Sequence, residues 1–524
     1  MRRLKSFQPF WAHTVMFWGA GATASLGMKT TDQLAQVIFR LATVHERQKV
    51  CVKERVRKQF PDVNEQVRLE LAALLVLLGE EGNEKEAMSI LRFSEERARE
   101  LQRLYDWKVT CEVMKRCPGV FEGRFSLQDV YNLIDLHIRS GQGFVVGGRF
   151  IRPEELIVAR RTLNMLISVI HAIDYYCLLS HHKEKIKPYV DFAMILGERM
   201  QREGEERVRR GISLMDREFY LFSYAVISMN WDPLFLWFLF NAHRELNERK
   251  KAPRVDRFGN RLKLFHDLAH FMAVRRIDGN DPSPWFPFNE TVVQRLNDLE
   301  YNSGRRVRIG KFYFPHGCYG FRECPNCGKL TVYLGDEWNI YSKTLFPPMI
   351  LPSLSSFRSR SEQEKHARQK GVFDGMQCAH CGQMTESHHT AIVMQTQLKE
   401  EYAPFLEEIQ RDMKVALEHA KHIVLFGYSL PEDDFIYRTI LSARKRDGSV
   451  KCSIVNFQQG LPDKWLDRQQ WEKYKLSNEL KSLCERVISI FGKENVRLYG
   501  AGIPAVFLHN GYASERKVQQ LLEW

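Results

Sequence analysis

Near its start the chain carries five β-prone residues, Thr14-Val-Met-Phe-Trp18, that run straight into Gly19-Ala-Gly21. That pattern predicts a buried strand and a tight turn. Thr30-Thr-Asp32 then offers an N-cap for a helix running through Leu34, Val37, Ile38 and Leu41. From 46 to 215 the spacing becomes helical and charge-laced. Residues 69–78 read as one apolar helix, and 84–104 alternate acid and base at helical intervals. A further helix begins near Pro153 and passes through Leu163, Leu166 and Ile170. The interruption Gly143-Phe-Val-Val-Gly-Gly-Arg-Phe-Ile151 predicts a short hairpin. A β-rich pattern resumes over 219–229, and the last third returns to α/β, with a helix over 403–420 and strands at 422–426 and 452–457. Strand, helix and strand in this order predict an α/β fold with a Rossmann-like parallel sheet. The expected units are core segments 1–45, 216–320 and 396–524, a large helical insertion at 46–215, and a small cysteine-bearing module at 321–395. The stretches 247–261 and 278–287 read as connector and turns, and the serine-rich, basic 352–371 is expected to be mobile.

Composition narrows this only a little. With 524 residues, 44% hydrophobic and 27% charged, the chain resembles ordinary multidomain soluble protein. A net charge of +13 admits an acidic partner such as nucleic acid or a polyphosphate, and equally a solvated basic surface. The basic start followed by an apolar stretch and Ala22-Thr-Ala24 imitates a signal peptide. His13 interrupts that run and glycines crowd its end, so a strand entering a glycine loop explains the letters better. The stretch 220–240 carries Asn230 and Asp232 and does not read as a membrane span. Eleven cysteines, four of them in Cys324-Pro-Asn-Cys327 and Cys378-Ala-His-Cys381, fit a reducing cytoplasm and a metal site rather than a disulfide framework.

The candidate chemistry lies in five short segments. Gly19-x-Gly21 after a strand lets backbone N–H groups approach a pyrophosphate, although a plain tight turn accounts for it as well. Asn230 and Asp232 follow a strand-like run, where catalytic loops sit in α/β sheets and where ordinary turns also sit. His316-Gly317 precedes the first cysteine pair by eight positions, and an imidazole suits proton transfer near neutral pH. Two CxxC hooks can supply four thiolates to a closed structural zinc, although the separation of Cys327 from Cys378 exceeds the usual ribbon spacing. Phe426-Gly-Tyr-Ser429-Leu-Pro-Glu-Asp-Asp434 and Ser453-Ile-Val-Asn456 each end an apolar strand. His266-Asp-Leu-Ala-His270 would place two imidazoles one turn apart on a helix whose apolar face is Leu262, Phe265, Leu268 and Phe271. No third ligand accompanies them, so that pair reads as structural.

Taken in order, these segments resemble the sirtuin superfamily: a GAG phosphate loop, an N-x-D loop, an HG turn, a four-cysteine zinc ribbon and a G-x-S loop. The segment Met28-Lys-Thr-Thr-Asp32 lacks the Phe-Arg that protein deacylases carry after the glycine loop, and Cys381 is not followed by their Phe-Gly-Glu. Those departures, and Pro-Glu-Asp-Asp434, resemble the bacterial sirtuin-like NAD hydrolases of antiphage defence. The string Asn132-Leu-Ile-Asp135-Leu-His137 looks superficially similar, but its Asn–Asp spacing is one residue too long and it falls in a helix capped by Ser126.

The resemblance implies a sirtuin-type Rossmann-like core and cleavage of NAD to nicotinamide and ADP-ribose. Asn230 would orient water or ribose, His316 would act as base and Asp232 would hold nicotinamide. Gly19, Ala20, Gly21, Ala22, Thr23, Asp32, Gly427, Ser429 and Asn456 would bind NAD, and Cys324, Cys327, Cys378 and Cys381 would bind zinc. It further implies a cytoplasmic, non-membrane homo-oligomer working beside a helicase-like ATPase or an Argonaute. Two other readings stand beside it: an NAD-dependent protein-lysine deacylase, and a zinc-stabilised nucleic-acid-binding module with a degenerate core.

Overall fold

The computed structural model describes residues 12–42, 50–211, 223–248, 262–270, 272–274, 283–285, 307–324, 326–332, 340–341, 350–354, 375–377, 381, 384–386, 390–392, 404–431, 434–443 and 450–524. Strand β1 (Thr14–Trp18) is buried along its whole length, as a strand covered on both faces must be. It joins β2 (Ala225–Ser228), β3 (Lys263–Asp267), β4 (Val307–Tyr313), β5 (His422–Phe426), β6 (Lys451–Val455), β7 (Trp465–Leu466) and β8 (Val496–Tyr499) in one sheet. The order is β7-β8-β6-β5-β1-β2-β4-β3, parallel at every step except β7 against β8. The fold is therefore mixed α/β around a mostly parallel eight-stranded sheet, compatible with a Rossmann-like architecture. From β1 the chain proceeds outward to β2, and from β5 it proceeds outward the other way to β6. The strand order thus reverses between β1 and β5, which is where open α/β sheets form a ligand crevice.

The helices around this sheet and its insertion include α1 (Ala20–Ala24), α2 (Thr31–Leu41), α3 (Leu127–Ser140), α4 (Pro153–His181), α5 (Ile186–Arg209), α6 (Leu234–Glu248), α7 (Pro404–His419) and α8 (Phe435–Ser442). Thr30 caps α2 in a reciprocal box with Gln33, and Ser126 caps α3. The hairpin forms from Phe144–Val146 and Arg149–Ile151. The charge-laced 84–104 stretch is not continuous: it breaks into Glu84–Leu91 and Glu95–Leu104 because Arg92 turns left-handed at φ 57° and Ser94 caps the second piece.

Helix α5 packs on the central sheet. Its Tyr189 hydroxyl donates to the Ala22 carbonyl at 2.7 Å, and Phe192 stacks on Phe235 and Phe426 at 5.8 and 6.1 Å. Helix α4 has the length and apolarity of a membrane span, yet 72% of its most apolar window is buried inside the fold.

The expected helix around His266 is a strand instead. Residues 263–267 pair in parallel register with 307–311 of β4, which makes this segment the strand β3, with Lys263 exposed and Leu264, His266 and Asp267 buried. The two imidazoles consequently have different neighbours. His266 Nδ1 lies 3.2 Å from His243 Nδ1, and His270 Nδ1 lies 2.6 Å from a Glu408 oxygen.

A second sheet orders Thr390–Ile392, Gly317–Glu323, Leu330–Val332, Met272–Val274 and Ser283–Trp285. Its strand Gly317–Glu323 begins at the residue after His316, and the first cysteine pair lies in the turn between that strand and Leu330–Val332. The connector beyond 248 and the basic stretch from 355 to 371 lie outside the described residues.

Candidate active site at the sheet reversal

Two loops cross backbone to backbone above β1 and β5. The Gly19 N–H donates to the Phe426 carbonyl and the Gly21 N–H to the Gly427 carbonyl, both at 3.0 Å. A Cβ on Gly19 would sit 2.4 Å from the Gly427 oxygen, and one on Gly427 would sit 2.3 Å from the Ala22 nitrogen. Gly427 also has φ +64°, a conformation that favours glycine. The glycines are thus required for loop-to-loop contact. Their N–H groups serve the neighbouring loop, which differs from the expectation that they face a pyrophosphate.

Beside this crossing opens a cavity of about 470 Å³. Of the residues expected to bind NAD, Ala20, Gly21, Thr23, Asp32, Gly427, Ser429 and Asn456 line it, together with Asn230 and Asp232. Gly19 and Ala22 stand behind the wall as the floor of the crossing.

Asn230 is built into that floor. Its side-chain nitrogen lies 3.2 Å from both the Gly19 carbonyl and Thr23 Oγ1, so the N-x-D loop and the glycine loop are one unit. Asp232 accepts the Leu234 N–H at 3.1 Å and so caps the start of α6. Burial pushes its carboxyl up to about 6, against the pull of the Leu234 N–H and the Asn230 side chain.

His316 is not part of the cavity wall. It is buried, in a turn where Gly317 at φ +74° returns its N–H to the Phe314 carbonyl at 3.0 Å, and Gln410 of α7 donates to the Pro315 carbonyl at 3.1 Å. Its Nε2 lies 3.6 Å from Asp434 Oδ1, and its ring lies 5.6 Å from that of Tyr437. The other oxygen of Asp434 accepts the Tyr428 hydroxyl at 2.5 Å, and Tyr428 does line the cavity. Asp434, which ends the Gly427 motif, is buried and shared between the histidine and a wall residue. Nothing in its spacing from His316 signalled the contact.

Sequence reading also missed His171, Lys29 and the residues 126–128, all of which line the cavity. His171 lies within an apolar helical run, outside every motif and well before Asn230, so only tertiary packing exposes it.

Cys324, Cys327 and Cys381 bring their sulfurs within 4.8 Å of one another and can hold a metal ion. Cys324 Sγ and Cys381 Sγ are 4.0 Å apart, and Asn326 Nδ2 lies 3.5 Å from Cys381 Sγ. The turn is tied by the Cys324 N–H to the Lys329 carbonyl at 2.9 Å and the Gly328 N–H to the Cys324 carbonyl at 2.8 Å. Cys378 lies outside the described residues. No protein-family model and no curated protein matches the chain.

Proposed function

We propose that the chain is a sirtuin-like NAD glycohydrolase, cleaving NAD to nicotinamide and ADP-ribose. The observation that carries this reading is the convergence of segments around 20, 230, 428 and 456 on one cavity at the sheet reversal. The cavity is also within the size range of small-molecule sites, about 300–1,000 Å³.

Hydrolysis breaks the nicotinamide–ribose bond, joins a water oxygen to C1′ and releases one proton. The Asn230 amide nitrogen serves the glycine loop and Asp232, and its carbonyl oxygen is the atom assigned to water or a ribose hydroxyl. Asp232, which lines the cavity and accepts from Leu234 and Asn230, is assigned the nicotinamide amide. His316, which stands behind the cavity wall, takes the released proton by way of Tyr428 and Asp434: Tyr428 lines the cavity, and Asp434 contacts both its hydroxyl and the imidazole.

We read the cysteine cluster as structural zinc, with Cys378 as fourth ligand. Zn–S bonds of about 2.3 Å in a tetrahedron put sulfurs about 3.8 Å apart, close to the 4.0 Å between Cys324 and Cys381. Four thiolates leave the ion no open position, so its contribution is to folding. On the motif resemblance we further propose a role in cytoplasmic antiphage defence, as a homo-oligomer depleting host NAD beside a helicase-like ATPase or an Argonaute.

The test is nicotinamide release from NAD by the purified full chain. His316→Ala should lower it about 100- to 10,000-fold, the usual cost of losing one proton-transfer group, with an unchanged circular-dichroism spectrum. Parental turnover in that variant removes His316 from the mechanism.

A further inference from the structure

Helix α4 is apolar over most of its surface, yet Asn164, Ser168, His171 and Asp174 recur on one stripe, and all four are buried. Burying such groups costs free energy unless they meet polar partners. Asn164 accepts the Tyr131 hydroxyl at 2.5 Å. Asp174 holds Lys29 twice, accepting its main-chain N–H at 3.2 Å and pairing with its ammonium group. His171 lines the cavity, as do Lys29 and residues 126–128 at the start of α3. Two elements of the inserted region therefore form part of the cavity wall.

The position of His171 within the cavity follows from its neighbours. Its ring packs edge-on against Tyr319 at 5.6 Å, and the Tyr319 N–H donates at 3.0 Å to the carbonyl of Trp231, the residue between Asn230 and Asp232. That is the end of the site where the carbon–nitrogen bond would break. Burial lowers the His171 imidazole to about 4, against the pull of a hydrogen bond with the Lys29 backbone, so near neutral pH the ring is uncharged and its two nitrogens differ, one a donor and one an acceptor.

We propose that the helical insertion is the substrate-gripping wall of this site. His171 hydrogen-bonds to the nicotinamide-riboside end of NAD, and the Lys29–Asp174 ion pair seats the segment between α1 and α2 against α4. This rests on the NAD reading above and adds a contact that none of the motifs contains.

The experiment measures dissociation constants of the full chain for a carbocyclic, non-hydrolysable NAD analogue and for AMP, which carries only the adenosine end. His171→Ala and His171→Phe should each weaken the analogue about tenfold, the effect of losing one buried hydrogen bond. AMP binding should stay within about twofold, and His171→Gln, which keeps a donor and an acceptor, should recover most of the loss. Analogue binding unchanged in His171→Ala overturns the contact while leaving the NAD reading intact. Equal loss of analogue and AMP also overturns it, because the residue would then be supporting the pocket as a whole. A parent chain that binds neither probe overturns both the contact and the NAD reading.

Discussion

Asp232 has two demands on one carboxylate: it caps α6 through the Leu234 N–H, and it lines the cavity. Burial raises it to about 6. A raised acid is ionised only above that value, so its ability to accept a hydrogen bond from nicotinamide fades as the pH falls through 6. The rate at low NAD should therefore decline below about pH 6 in the parent. Asp232→Asn, already neutral, should lose that acid limb along with most of the activity. An acid limb that persists unchanged in Asp232→Asn assigns the titration elsewhere, with Asp174, also raised to about 6 by burial and opposed by Lys29, the next group to test.

At the scale of elements, the crossing of the glycine loop and the Gly427 loop is the most sequence-legible part of the site. A strand ending in G-x-G and another ending in F-G-Y both specify close backbone approach, and their placement follows from parallel pairing of β1 with β5. What the letters could not tell was the use of those glycines, because a glycine that lets a phosphate approach and one that lets a carbonyl approach look alike. The contact makes a clear prediction. Gly427→Ala combines positive φ with a collision at the Ala22 nitrogen, so it should cost roughly 1–3 kcal/mol or more, read as a lowered urea midpoint. A variant as stable as the parent would mean that the loops do not cross this way.

The cysteine turn belongs to the same scale. Elemental analysis should find one zinc per chain, and Cys324→Ser should lower both zinc content and thermal stability, since structural zinc carries folding energy. Native protein without metal contradicts the ribbon. The His266 segment shows the limit of periodicity: apolar positions at 262, 265 and 268 fit a helix, yet residues 263–267 form a strand. Pairing with β4, a long-range contact, decided between them.

Across the whole molecule, the α/β alternation and the presence of a helical region were legible, because both are written in local period and capping. The joining of that region to the cavity was not. His171 and Asp174 are polar letters in a buried helix, and their meaning depends on which loop lies opposite. The burial of His316 behind Tyr428 and Asp434 was equally invisible, being a matter of how the start of α8 packs on the turn after β4. The central claim is that water, rather than an acylated lysine, accepts the ribosyl group in this assembled pocket. Its most direct test is to incubate the pure full chain with NAD, with and without an acetyl-lysine peptide, and to resolve the products by mass spectrometry. The expected result is peptide-independent loss of NAD with equal amounts of nicotinamide and ADP-ribose. Nicotinamide release that requires the peptide and yields O-acetyl-ADP-ribose would contradict it.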